Sequence, residues 1–211
     1  MRIRSVAALI APAAFVLIAH PTVATASSRP TCMGLRATIV GTAGHNVIHG
    51  TRHADVIVAR AGADTVYGGG GNDTICAGDG NDHVYGGAGN DRISGGRGAD
   101  TLNGGAGDDS EYGNTGDDTV NGGADDDSLS GGLGDDHVDG GDGNDVLHGD
   151  QGEDSLNDDQ GENVEDGGDD SDSCTNTTSD SCDDDQGDDQ GDDKGSSKSG
   201  AKPRTRRKAS A

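Results

Sequence analysis

The sequence predicts an all-β repeat protein in which short strands stack on one another along a single axis. A nine-residue phrase, Gly-Gly-x-Gly-x-Asp-x-U-x with U a large aliphatic residue, occurs 15 times without a gap from Gly41 to Thr175. The sixth position is Asp in 13 units and Asn in two, and the eighth is Ile, Val or Leu in 12. Two independent columns thus keep one fixed period, which predicts a stacked-repeat architecture.

Each unit is expected to divide into a turn and a strand. Positions seven to nine are strand-like, as in Thr74-Ile75-Cys76, because β-branched residues favour extended backbone. Strand alternation directs position eight to one side and its two neighbours to the other. Glycines in the first six positions allow positive φ and close backbone approach. We therefore expect six turn residues, three strand residues and one thin core of stacked aliphatic side chains.

Two departures from the phrase interrupt this pattern. Glu111 places a charge in the aliphatic column, so we expect the stack to be weakened there. The unit from Asp158 to Asp166 keeps only fragments of the phrase.

The composition excludes an ordinary hydrophobic core. Of 211 residues, 39 are Gly, 2% are aromatic and none is Trp. The repeat block holds 27 Asp and 4 Glu against 4 Arg and no Lys, a net charge of −27. Such dense charge repels itself, and by composition alone the segment resembles a disordered chain. Folding therefore requires a cation that neutralises the carboxylates and contributes binding energy.

The chemistry of the sixth-position column indicates which cation this is. A solvated acidic surface would not keep a period of nine. Carboxylates combined with backbone carbonyl oxygens suit Ca²⁺ better than Mg²⁺, which requires a small octahedron and retains its waters. The column contains no nitrogen or sulfur ligand, which argues against zinc or copper.

The four units from Gly68 to Asn103 resemble the haemolysin-type calcium-binding repeat, the repeats-in-toxin (RTX) nonapeptide. The lead-in from Ala37 to Gly44 and the terminal pair Cys174 and Cys182 resemble those of small exported bacterial proteins built of repeats alone. The resemblance implies a right-handed parallel β-roll (a β-solenoid) in which two units form one coil. It also implies multiple Ca²⁺ ions on both edges, between the turns of unit n and unit n+2. The implied ligands are Asp73, Asp82, Asp91, Asp100, Asp109, Asp118, Asp127, Asp136, Asp145 and Asp154, with weaker ligands at Asp55, Asp64 and Asp172.

The chain is expected to contain four segments. Residues 1–26 resemble a secretory signal peptide, with Arg2 and Arg4, a short apolar stretch and a small-x-small cleavage site at Ala24-Thr25-Ala26. The alternative for this segment is a membrane anchor. No later stretch is apolar enough to span a bilayer, so we expect no stable membrane insertion of the mature protein. Residues 27–40 form a lead-in with a first strand, 41–175 form the RTX β-roll, and 176–211 form a disordered tail, first acidic and then basic.

Four cysteines in an exported chain suggest disulfide bonds, with three possible pairings. Cys174 and Cys182 lie eight residues apart and could close a small loop at the end of the stack. That leaves Cys32 and Cys76, which could tie the lead-in to the fourth unit. Free or intermolecular thiols are the alternative.

The sequence favours a secreted, extracellular calcium-binding protein that folds on binding Ca²⁺. No catalytic motif was found, so we expect no enzyme activity. The alternatives are a cell-surface or adhesive structural spacer, and the binding remnant of an RTX enzyme or toxin. The basic tip at 202–208 could bind an anionic cell-wall or surface polymer. It contains no aromatic residue, so nucleic-acid binding is not expected. We expect a monomer.

Overall fold

A computed structural model describes residues 29–158, 160–161 and 163–175. The predicted signal peptide and tail lie outside these residues. Every regular element in the described part is a strand, and no helix there is long and apolar enough to cross a membrane. The strands are β1 (Thr31–Cys32), β2 (Leu35–Arg36), β3 (Ile39–Val40), β4 (Val47–His49), β5 (Val56–Ala61), β6 (Thr65–Gly70), β7 (Thr74–Asp79), β8 (His83–Ala88), β9 (Arg92–Arg97), β10 (Thr101–Ala106), β11 (Ser110–Thr115), β12 (Thr119–Ala124), β13 (Ser128–Leu133), β14 (His137–Asp142), β15 (Val146–Gln151), β16 (Ser155–Asn157), β17 (Val164–Asp169) and β18 (Ser173–Cys174).

The strands from β3 onward alternate between two parallel sheets of eight strands each. The even-numbered strands β4 to β18 form one sheet and the odd-numbered strands β3 to β17 form the other. Each residue pairs with the residue 18 positions further along, as Leu102 does with Val120. One coil of the solenoid therefore contains two nine-residue units, and the predicted parallel β-solenoid is confirmed.

The strands are longer than the sequence predicted. Most have six residues, which cover positions seven to nine of one unit and one to three of the next, as β8 does from His83 to Ala88. The first glycine follows position eight by two residues and therefore also points inward. Because it lacks a side chain, its backbone can join the ladder at close range. The bends are thus confined to positions four to six.

The core is a single file of aliphatic side chains between the two sheets. Position-eight residues such as Ile75, Leu102 and Leu147 have no exposed surface. Burying each contributes about 1.5–3 kcal/mol relative to exposure. Glu111 lies in the same file and is fully buried. Its strand β11 nevertheless pairs with β9 and β13 on either side, so the sheet continues through the charged position.

The lead-in packs against the first coils. β1 and β2 form an antiparallel pair, and β3 extends the odd-numbered sheet by pairing with β5. A disulfide bond joins Cys32 to Cys76, 44 residues later in β7. Cys174 is also disulfide-bonded, while its expected partner Cys182 lies outside the described residues.

Positions two and four of most units adopt positive φ, which most side chains disfavour. Gly89, with φ of 120°, is typical. Asn or Asp replaces glycine at several such positions, for example Asn114 at 79° and Asp125 at 79°, and these two residue types tolerate the left-handed region best. Arg60 also has a φ of 90°, although arginine has no such tolerance. Its backbone is therefore strained.

Replacing Arg60 with glycine should stabilise the fold by about 1 kcal/mol, because relief of the left-handed strain exceeds the entropic cost of a new glycine. The measurement is the midpoint of thermal unfolding in one fixed buffer. Arg92→Gly is the matched control: it removes the same charge from another exposed position, but one with ordinary φ. Arg92→Gly should lower the thermal midpoint, because it adds the entropic cost of a glycine and relieves no strain. A lower thermal midpoint for Arg60→Gly as well would contradict the conclusion that the Arg60 backbone is strained.

Candidate metal-binding site

The sixth-position residues form two columns, one along each edge of the solenoid. Each residue lies at the end of a bend, directly before the strand that begins at position seven. Residues of one column are separated by 18 positions, so they occupy the same place in successive coils. The first column contains Asp55, Asp73, Asp91, Asp109, Asp127, Asp145 and Asn163, and the second contains Asn46, Asp64, Asp82, Asp100, Asp118, Asp136, Asp154 and Asp172.

Within each column, successive residues are linked by a hydrogen bond from backbone to side chain. The N–H of Asp73 donates to Asp91 Oδ1 at 2.7 Å, and that of Asp82 donates to Asp100 Oδ1 at 2.8 Å. The link recurs along both columns, and Asn163 accepts from Asp145 at 2.9 Å at the end of the first. The structure thus brings together the residue pairs that the sequence analysis assigned to adjacent turns.

The second carboxylate oxygen of most of these residues is left without a hydrogen-bond partner. The side chains concerned are at most 3% exposed, so water does not replace the missing partner. These unpartnered Oδ2 atoms belong to Asp64, Asp73, Asp82, Asp91, Asp100, Asp109, Asp118, Asp127, Asp136 and Asp154. A buried acceptor without a donor is costly, and its repetition along both columns points to a missing positive ligand.

The positions expected to bind weakly differ from one another. Asp55 Oδ2 accepts hydrogen bonds from the Thr51 N–H at 2.7 Å and the Thr51 hydroxyl at 2.9 Å. That oxygen is therefore already occupied. Asp172, at the end of the second column, is partly exposed. Asp64 instead has the same unpartnered Oδ2 as the central residues.

Burial raises the carboxylate pKa values along both columns. It raises the pKa of Asp91 and of Asp100 to about 7, partly offset by the backbone hydrogen bond that each accepts and increased by the charges of the neighbouring aspartates. The same causes raise the pKa of Asp127 and of Asp136 to about 7. The folded chain therefore favours neutralisation of these groups near neutral pH.

Backbone oxygens share the space that the glycines leave open. A Cβ built on Gly86 would lie 2.5 Å from Asp91 Oδ2 and 2.6 Å from the Gly104 carbonyl oxygen. At the bend, a Cβ on Gly89 would lie 2.7 Å from the Gly71 carbonyl oxygen. Carboxylate and carbonyl oxygens from successive coils thus face the same gaps, and side chains would fill these gaps.

This donor set fits calcium when carbonyl oxygens are included. No group of three or more His, Cys, Asp or Glu side chains within the described ranges is arranged to hold a metal ion. The carboxylates meet in pairs along each column, so the remaining ligands of an ion must come from the backbone or from water. Calcium accepts six to eight oxygens of mixed type in flexible geometry.

Three buried acids beside the first column have no counterpart in the consensus phrase. Asp158 takes the place of a first-position glycine, and its carboxylate faces that of Asp145 across Gly140. Burial and the charge of Asp145 raise the pKa of Asp158 to about 7. The other two, Glu111 and Glu165, take the place of the aliphatic residue at position eight. All three acids interrupt the consensus, and the signal that could have identified them is that positions one and eight both point inward.

The raised pKa values predict that the metal-free fold is most stable in acid. The unfolded carboxyl groups titrate near pH 4, whereas Asp91 and Asp100 titrate near 7 in the fold. The stabilisation is therefore complete below about pH 4 and is lost as the pH rises through about 7. The β content and the thermal midpoint of chelator-treated protein between pH 4 and 8 measure this effect, since the fold without calcium should be present in acid and lost near neutral pH. The thermal midpoint of the double variant Asp91→Asn/Asp100→Asn should depend less on pH. A wild-type midpoint that rises with pH would contradict the raised pKa values.

Comparison with known proteins agrees with the geometry of the two columns. The family model described as RTX calcium-binding nonapeptide repeat (4 copies) matches residues 40–75, 49–84, 77–111, 112–147 and 139–174. A comparison with curated protein sequences gives no match. The family matches overlap or adjoin from residue 40 to residue 174, nearly two thirds of the chain, and the chain therefore belongs to the RTX calcium-binding nonapeptide repeat family.

Proposed function

We propose that this protein is a secreted calcium-binding β-roll that folds when Ca²⁺ binds between its stacked turns. The observation that carries the proposal is the row of ten buried Asp Oδ2 atoms without hydrogen-bond partners along both edges. The ligands are the central aspartates of both columns, with Asp55 and Asp172 weaker for the reasons given above. Their pairing between successive coils means that one ion would contact two coils at once.

Calcium binding and folding are coupled because the ligands of each ion come from residues 18 positions apart. In the unfolded chain these carboxylates are separated and hydrated. Folding buries them beside one another, which their mutual repulsion opposes. A divalent ion between two carboxylates attracts both of them and so overcomes their mutual repulsion. The binding free energy of the ion therefore becomes folding free energy. Extracellular calcium modules bind at about 10⁻⁴–10⁻³ M, and calcium outside the cell is in that range.

A calcium titration followed by circular dichroism tests the coupling. We expect a β-poor spectrum in chelator and a cooperative gain of β structure, with a midpoint at about 10⁻⁴–10⁻³ M. Bound-metal analysis of the same sample should find several ions per chain. A spectrum that stays unchanged from chelator to about 10 mM calcium would contradict the proposal.

Two single variants provide the matched control for that titration. Asp91→Asn removes a charge from a residue whose Oδ2 has no partner. Asp55→Asn removes a charge whose Oδ2 already accepts two hydrogen bonds from Thr51. We therefore expect Asp91→Asn to raise the calcium midpoint more. Equal shifts would show that general negative charge, rather than the paired site, determines binding.

The proposed role is binding rather than catalysis. The carboxylates that would be candidates for acid–base chemistry already occupy repeated ligand positions. The family match concerns the calcium-binding repeat, and the proposed partner is the calcium ion.

Export is the remaining part of the proposal, and it rests on the sequence of residues 1–26. We expect the native host to release protein that begins at Ser27, which N-terminal sequencing of the culture medium would show. Fractionation of live culture provides the second measurement. Protein retained at the cell wall would favour the surface-spacer alternative, and protein that still begins at Met1 would contradict signal cleavage.

A further inference from the structure

Glu111 is a buried acid in the middle of the aliphatic column. It lies at position eight of its unit, where it replaces an aliphatic residue, and it is fully buried. In the sheet its neighbours are Ile93 and Leu129. Neither Oε1 nor Oε2 has a hydrogen-bond partner. An ionised carboxylate is strongly disfavoured in such surroundings unless a positive group neutralises it.

The charged groups that act on Glu111 are all acidic. They are Asp109, Asp127 and Asp91, three successive members of the first column. The repeat block contains no lysine, and its four arginines are all exposed. Within the described residues, no protein cation is therefore available to neutralise Glu111.

Three oxygens converge on the side of Glu111 that faces the opposite sheet. A Cβ built on Gly104 of β10 would lie 2.7 Å from Glu111 Oε1 and 2.8 Å from the Gly122 carbonyl oxygen of β12. It would lie closer still to Asp109 Oδ2, which has no hydrogen-bond partner either. Two carboxylates and one carbonyl thus face a single gap that exists only because residue 104 is glycine.

The occupant of this gap must be positively charged and must accept oxygen ligands. Calcium–oxygen distances are 2.3–2.6 Å, so one ion can draw together oxygens that surround one small gap. A proton is the competing occupant, since it would neutralise one carboxylate and form a hydrogen bond to the other. The two occupants predict opposite results when Glu111 is replaced by a core residue.

We propose that Glu111 is a direct ligand of a calcium ion shared with Asp109 and the Gly122 carbonyl. The inference rests on the proposed function for the identity of the ion. Glu111 would then be a ligand from the core at one site of the first column, in addition to the ligands from the bends. The site combines two carboxylates of a single unit with a carbonyl of the next coil, whereas 12 of the 15 units provide an aliphatic side chain at this position.

The test compares bound calcium and the calcium midpoint of the full chain with Glu111→Gln and Glu111→Leu. Both variants should bind one ion fewer per chain at calcium concentrations that saturate the wild type. The affinity for that ion should fall by about a hundredfold or more, because loss of an outer-shell partner alone costs about 10–100-fold in metal affinity. Asp108→Asn is the matched control: it also removes one charge, beside Asp109, but its side chain is exposed. It should retain the full number of ions.

A proton in the gap would give a different result. Glu111→Gln would then bind as many ions as the wild type, and Glu111→Leu would fold at lower calcium because leucine fills this place in neighbouring units. Either result, or an equal loss of an ion in Asp108→Asn, would overturn the inference. If Glu111→Gln fails to fold, Glu111→Leu decides, since leucine suits the core. Failure of the wild type to bind calcium would instead overturn the proposed function.

Discussion

The structure depends on how the negative charge along its two edges is neutralised. The hydrogen bond from one aspartate N–H to the next aspartate Oδ1 sets the coils in register, for example between Asp91 and Asp109 at 2.7 Å. The same contact brings like charges together out of water. Backbone pairing and a single file of aliphatic side chains hold the coils in place, but neither neutralises the carboxylates. On the proposed function, the positive partner of the columns therefore determines when the roll is stable.

The repeat makes this constraint local. Most contacts of a unit are with the unit 18 residues before or after it, as the registers of Val66 with Val84 and Leu102 with Val120 show. Stability in such a solenoid is approximately a sum over coils and their interfaces. An ion between two coils strengthens one interface, so the loss of one ligand should weaken one part of the stack and leave distant coils intact.

The nine-residue period predicted most of the fold and of the site, because each position of the phrase has one residue type and one side-chain direction in nearly every unit. Asp at six and the aliphatic at eight were sufficient to identify the columns and the core. The length of the strands was not predictable from the phrase, since glycine normally indicates a turn. Here the glycines at positions one and two continue the ladder, as Gly86 and Gly87 do in β8. Arg60 also escaped prediction, because its positive φ is imposed by the neighbouring coils.

Departures from a repeat carry information that the consensus cannot provide. Glu111 breaks the aliphatic column, yet the sheet continues through it and its carboxylate faces Asp109 across Gly104. Asp158 breaks the glycine column, and its carboxylate faces Asp145 in a similar way. Both acids lie beside the first column, at positions that point inward. An inward acid adds buried negative charge, and at position eight it also removes apolar burial. This destabilises the metal-free fold but increases the dependence of that coil on a bound cation. The two positions thus make the edges of the roll unequal.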